Sequence, residues 1–296
     1  DFLHQSYPMS DYPYFPPNPS ADNLVSAMRQ LPPTARVLAK LQKLLADPNS
    51  GLDDVAEMIR LDPSLTTRVI QISNSVWFGR GIPCRTIEDA VNRVGFREIY
   101  RLVAVVASNA MVAGALKAYS RTADIIWDES VSCGVACELI AEALHEDTAV
   151  AYTSGLLHLI GRTPIDYYLQ HTNPTRILLD KGFPTEFSDE EFALLGFNQA
   201  DVGACMLEKW DFSPLIIEPI RKQYEPLDAE QPHDLNASIL FGGRLLRTVF
   251  LGTTALGEIP NEEEILGNLR FTRKDVLDLR DKLEDELVRV HQITKG

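Results

Sequence analysis

A chain of 296 residues, 45% of them hydrophobic and 24% charged, can bury a large core and lacks the composition of a disordered protein. Its formal charge of -14 works against non-specific binding to nucleic acid. No apolar run approaches the ~20 residues of a membrane-spanning helix, and no basic start followed by an apolar stretch marks a secretory leader.

The four cysteines, Cys84, Cys133, Cys137 and Cys205, are too sparse for a disulfide framework. A reducing, cytoplasmic location is the expectation. Cys133 and Cys137 share a helical face at i,i+4 spacing. A metal or redox pair is one reading; small buried core residues is the other, favoured because Cys-x-x-Cys spacing is missing. Charge is uneven along the chain. Residues 22–121 hold 13 basic and 9 acidic side chains, whereas residues 122–296 hold 15 and 31. This asymmetry suggests two lobes meeting near residue 121.

Residues 1–21 read as an extended arm or linker. Five prolines among the first twenty residues deny regular helix its amide donors. Helical patterning begins at Asp22. After the break at Leu31-Pro32-Pro33, apolar positions Leu38, Leu41, Leu44 and Leu45 predict a helix that ends near Asp47-Pro48. Val55, Met58 and Ile59 predict a short one. Asp62-Pro63 then starts another, with an N-cap acceptor followed by proline at the first helical position, and Leu65, Val69 and Ile72 as its stripe.

Thr86 with Asp89 three residues on is a capping-box start. Ile87, Ala90, Val91 and Val94 follow it, and Gly95 punctuates. A long helix is expected from Ile99 to about Ala118, and Trp127 to Ser130 open another with Val131, Val135, Leu139 and Ala143 on its apolar face. Asn236 to Val249 predict a helix, Ile259 to Thr272 a connection, and Val276, Leu279, Leu283, Leu287 and Val290 a final amphipathic helix. No segment alternates convincingly, so the fold class is all-α, a multi-helix bundle.

The segments "LPPTARVLAKLQKLLADP", "VAEMIRLDPSLTTRVIQISNSVWFG" and "TIEDAVNRVGFREIYRLV" follow one another in the order and spacing of HDOD domains, which this chain resembles. The likeness continues through "GLLHLIG" at residues 155–161 and "LLGFNQADVGACMLEKWDFSPLIIEPIRKQY", and covers about residues 24–290. It implies an N-terminal helical lobe over residues 22–121 packed on an HD-like lobe over residues 122–296. It further implies a bacterial signalling or regulatory module related by fold to the HD phosphohydrolases.

Such hydrolases need several His and Asp side chains converging on metal, which activates water and neutralises phosphate charge. The resemblance places those ligands at Glu129, His158, Leu159, Gln199, Gln223 and Tyr224, with a late Asp aligning near Gly243. Only His158 keeps its identity; Glu129 keeps some donor chemistry. Leucine cannot ligate, and glutamine is a weak neutral ligand. The expectation is therefore no metal, no cofactor and no enzymatic activity. His158 reads as a relic ligand or, the favoured reading, as a hydrogen-bonded core histidine.

Arg93, Arg97 and Arg101, spaced i,i+4,i+8, are candidates for binding an anion or a partner, because the guanidinium fork suits phosphate and carboxylate. Pairing with the acidic second lobe is the plainer reading of that stripe. The expected function is non-catalytic regulation through contact with another signalling protein, with no membrane and no nucleic-acid role. A nucleotide or anion sensor using the vacated cleft is one alternative, and a residual metal-dependent phosphohydrolase is another.

Overall fold

The computed structural model describes residues 15–16, 18–28, 33–47, 49–75, 78, 83–111, 114–224, 235–259 and 262–295. Most of the N-terminal arm and the Leu31-Pro32 break lie outside them. Among the described residues every regular element is a helix, and the only bridge between extended residues joins Leu116 to Arg121.

Helix α1 (Ala21–Ala27) starts at Ser20, whose hydroxyl accepts from the Asn23 amide. It does not stay with its neighbours in sequence. The next five helices, α2 (Pro33–Ala46), α3 (Leu52–Arg60), α4 (Pro63–Ser73), α5 (Ile87–Val94) and α6 (Phe96–Met111), pack on one another. Their starts follow the sequence signals: Asp62 Oδ1 accepts from the Leu65 amide at 3.1 Å, and Thr86 and Asp89 cap each other reciprocally. Leu65, Val69 and Ile72 are buried as the pattern requires.

Helix α6 stops at Met111 rather than near Ala118. Gly114, at φ 138°, takes a backbone conformation that L side chains rarely adopt, and a short 3-10 turn at Lys117–Tyr119 follows. Helix α7 (Ala123–Leu144) begins before Trp127, because Thr122 caps it through its hydroxyl. Every residue from Ser130 to Glu138 on α7 is buried, so the middle of this helix is enclosed on all sides.

Around α7 lie α8 (Thr148–Leu157), α13 (Leu235–Phe250) and α15 (Arg273–Lys295), with α9 (Arg162–Thr172), α10 (Ser188–Leu195), α11 (Gln199–Lys209) and α12 (Pro214–Arg221) completing this half. Close approach of α7 and α8 depends on glycine: a Cβ on Gly155 would lie 2.6 Å from the Cys133 carbonyl oxygen and 2.8 Å from Cys137 Sγ. Helix α14 (Glu262–Leu269) occupies part of what the sequence reads as a connection; Ile265, Leu266 and Leu269 bury its one apolar face. On α15 all five patterned residues are buried, each contributing about 1.5–3 kcal/mol relative to exposure.

Helix α6 meets α8 where the Tyr100 and Thr153 hydroxyls share a hydrogen bond of 2.5 Å. One continuous core runs from Leu24 to Val290. Helix α1 contributes to it from the far side, packing against α9 and α11. No helix among the described residues is long and apolar enough to cross a membrane.

Candidate functional site

The residues at which the resemblance places metal ligands do come together. His158 ends α8 and is 3% exposed. Its carbonyl oxygen accepts from both Gln199 Nε2 and Gln223 Nε2, each at 3.0 Å. Gln199 Nε2 also donates to the Tyr224 hydroxyl at 2.9 Å. Thus Gln199, Gln223 and Tyr224 tie the starts and ends of α8, α11 and α12 into one knot through amide and phenol groups. The His158 ring lies 2.6 Å from the Gly155 carbonyl oxygen through Nδ1 and hydrogen-bonds to Cys133, the arrangement of a satisfied core histidine.

Cys133 and Cys137 are both fully buried, and burial pushes the Cys137 thiol well above its ordinary value. Leu159 is buried at 2% exposure. Gly243, the alignment for a late acidic ligand, cannot serve as one: a Cβ there would stand 2.3 Å from Cys137 Sγ. Its neighbour Arg244 is the residue that enters the site.

Two arginines that motif comparison did not single out fill the centre. Arg162 and Arg244 each have side chains only 2% exposed. Arg162 Nη2 donates to Glu186 Oε2, and its Nη1 lies 3.6 Å from Glu129 Oε2. Arg244 donates through Nη1 to the Gln223 carbonyl oxygen and through Nη2 to the Pro184 carbonyl oxygen at 2.6 Å, with Glu186 Oε1 at 3.4 Å.

Aromatic rings complete both pockets. The Arg162 guanidinium sits 4.9 Å from the Phe187 ring centre and 5.5 Å from that of Tyr119; Arg244 sits 4.6 Å from Tyr224. Glu129 is ringed by cations, with Arg121 Nε at 3.4 Å and Arg247 Nη2 at 3.5 Å in addition to Arg162.

Electrostatics follow from this packing. Burial alone would raise the Glu186 carboxyl, but Arg244 and Arg162 hold it at about 2, so it stays ionised. Glu191 goes the other way: its complete burial raises it despite Arg162 and despite hydrogen bonds from the Gln199 amide (2.7 Å) and the Tyr119 hydroxyl (2.8 Å). Burial pushes Tyr224 up to about 12, so its hydroxyl stays protonated.

A divalent metal does not fit this set of groups. The only histidine keeps its ring for Gly155 and Cys133, while the carboxylates face guanidinium groups. Among the described residues no group of three or more His, Cys, Asp or Glu side chains is placed to hold a metal ion. Two like cations in one shell are mutually unfavourable unless carboxylates outnumber them.

Arg93, Arg97 and Arg101 do not form one stripe. Gly95, at φ 88°, ends α5, and α6 restarts at Phe96, so Arg93 lies on a different helix from the other two. Arg93 Nη1 donates to Asn74 Oδ1 at 3.4 Å. Arg97 donates through Nε and Nη2 to Glu138 Oε1 at 3.2 and 3.0 Å. Arg101 reaches Glu138, Glu98 and Glu286 at 3.1, 3.2 and 3.5 Å. Pairing with the acidic second half is what this pair of arginines does. A long-range partner leaves no trace in local spacing, which is why the sequence left the reading open.

The HDOD domain family model matches residues 31–226, more than half of the chain, and the chain belongs to that family. Solved structures share the fold. A Shewanella amazonensis protein provisionally named a phosphohydrolase is 24% identical, with a TM-score of 0.64 over 93% of this chain and 97% of that one. A Marinobacter aquaeolei protein provisionally named a signal transduction protein is 22% identical, with a TM-score of 0.67 over 93% of this chain and 61% of that one. An HDOD domain protein of unknown function from Geobacter sulfurreducens is 19% identical, with a TM-score of 0.57 over 89% and 96%. An uncharacterised Treponema pallidum protein is 25% identical over 258 residues; they make up 86% of this chain, which spans only 48% of that relative's length.

Proposed function

We propose that this chain is a non-catalytic HDOD module in a signalling process and that it acts by contact with another protein. The observation that carries this reading is the pair of buried guanidinium groups, Arg162 and Arg244, set among the residues that align with metal ligands. A fixed cation here neutralises Glu129 and Glu186 as a metal would, yet it offers no open coordination position to water or phosphate. The provisional name of the Marinobacter relative agrees with a signalling role.

The same pairing argues against an anion sensor at this centre. A ligand phosphate would have to displace Glu186 from both arginines at once. The reading is tested by metal analysis of the purified protein together with hydrolysis assays on cyclic dinucleotides and simple phosphoesters. Metal well below one equivalent and no turnover are expected; stoichiometric metal with turnover lost in His158→Ala would overturn it.

A further inference from the structure

Away from the arginine centre, a cleft of about 250 Å³ opens where α6, α7 and α8 meet. Its walls are mostly apolar and aromatic: Phe96, Tyr100, Ala149 and Tyr152. Tyr100 and Tyr152 are 3% and 1% exposed, and burial raises both phenols far enough that they remain neutral. The Tyr100 hydroxyl is engaged with Thr153.

The charges around the cleft decide what could enter. Arg97 and Arg101 are committed to Glu138, and Arg97 also lies 3.8 Å from Glu142. Asp147 lines the rim and caps α8: its Oδ1 accepts from the Ala149 and Val150 amides at 2.9 and 3.1 Å. That carboxylate already occupies the anion-favouring end of α8. Its second oxygen accepts no hydrogen bond among the described residues. Among the charged side chains that line the cleft, Glu138 and Asp147 equal Arg97 and Arg101 in number, but both arginines are paired with Glu138 and also face Glu142 and Glu98 just outside it, so Asp147 is the lining charge left to meet a ligand. At that rim an anion would meet the repulsion of the Asp147 carboxylate, and a cation its attraction.

We infer that this cleft binds a small organic cation, an ammonium group on a compact apolar body, with the ammonium at Asp147 and the body against Phe96, Tyr100 and Tyr152.

Calorimetric titration of the full chain tests it with three probes of matched shape: phenethylammonium, 2-phenylethanol and 3-phenylpropanoate. Phenethylammonium is expected to bind at least tenfold tighter than either other probe, and to weaken as salt rises. Asp147→Asn keeps the helix cap, since asparagine caps as well as aspartate, while removing the charge. It should melt like the parent and lose at least tenfold in phenethylammonium affinity. Ala149→Leu, which fills the cleft from one wall, should abolish binding of every probe. Preference for phenylpropanoate, unchanged affinity in Asp147→Asn, or no phenethylammonium heat at millimolar concentration would each overturn the inference.

Discussion

A Cβ added to Gly161 would fall 1.9 Å from the carbonyl oxygen of Gln199 and 2.6 Å from the amide nitrogen of Gly203. The turn between α8 and α9 therefore lies backbone to backbone against the start of α11. This close approach sets Arg162, the next residue, into the centre of the site, and it holds Gln199 within reach of the His158 carbonyl.

Gly161→Ala should accordingly be among the most damaging single-methyl changes in the chain. The obstructing atoms are backbone and cannot step aside, so a loss of about 3 kcal/mol or failure to fold is expected. Gly267, exposed on α14 with nothing within 4 Å of its added Cβ, is the control. Gly267→Ala should stabilise by about 0.5–1 kcal/mol. Urea unfolding of the two variants checks both signs.

Removing the Arg162 charge tests the centre. Arg162→Met leaves Glu186, whose side chain is 17% exposed, with Arg244 alone, and takes the most distant of three guanidinium groups from Glu129, 13% exposed. A loss of about 3–5 kcal/mol is expected. Arg162→Met combined with Glu186→Gln should recover a substantial part, because the stranded charge has gone. Additive losses in the double variant, read from chemical denaturation, would contradict direct coupling.

Glu186 also sets an acid limit. Its folded value of about 2 lies below the ordinary 4.5, so its stabilisation is fully present above pH 4.5 and disappears as pH falls toward 2. The amount at stake is about 3 kcal/mol. Glu191, raised by burial, has the opposite sign: its ionisation costs stability as pH rises through its folded value. Stability measured from pH 2 to pH 7 should thus fall less steeply on the acid side in Glu186→Gln than in the parent, whereas Glu191→Gln should leave that acid loss in place.

Arg101 and Arg97 look equivalent in sequence but differ in burial, with side chains 11% and 54% exposed. Arg101→Ala takes the buried partner from Glu138, 6% exposed, leaving it only the half-exposed Arg97, and should cost about 3 kcal/mol. Arg97→Ala should cost less than about 1 kcal/mol, because water solvates the exposed head and screens the pair. Thermal melts of the two variants distinguish the cases.

Local chemistry was readable from residue order alone. Thr86 with Asp89, Asp62 before Pro63, and the five apolar positions of α15 act within one or two helical turns, and each appears where the pattern puts it. The convergence of His158, Gln199, Gln223 and Tyr224 was legible only through the family resemblance, since these residues lie on separate elements. The arginine centre was missed. Its signal was present, though weak: Arg162 and Arg244 are charges set in otherwise apolar or small-residue runs, "GLLHLIGR" and "ILFGGRLL". A charge at a position patterned for the core calls for a buried counter-charge, but nothing in residue order points to Glu186, which lies in the stretch between α9 and α10.

Helix α1 leaves the first half of the chain and closes over α9 and α11, with Leu24 fully buried there. Cutting at residue 121 would thus not yield two tidy pieces. The downstream fragment would carry a raw apolar scar where Leu24 had been, and the upstream one a greasy peptide with nothing to grip. The two halves are stapled by their own leading turn, and any change transmitted through this molecule has to pass without prying that staple loose.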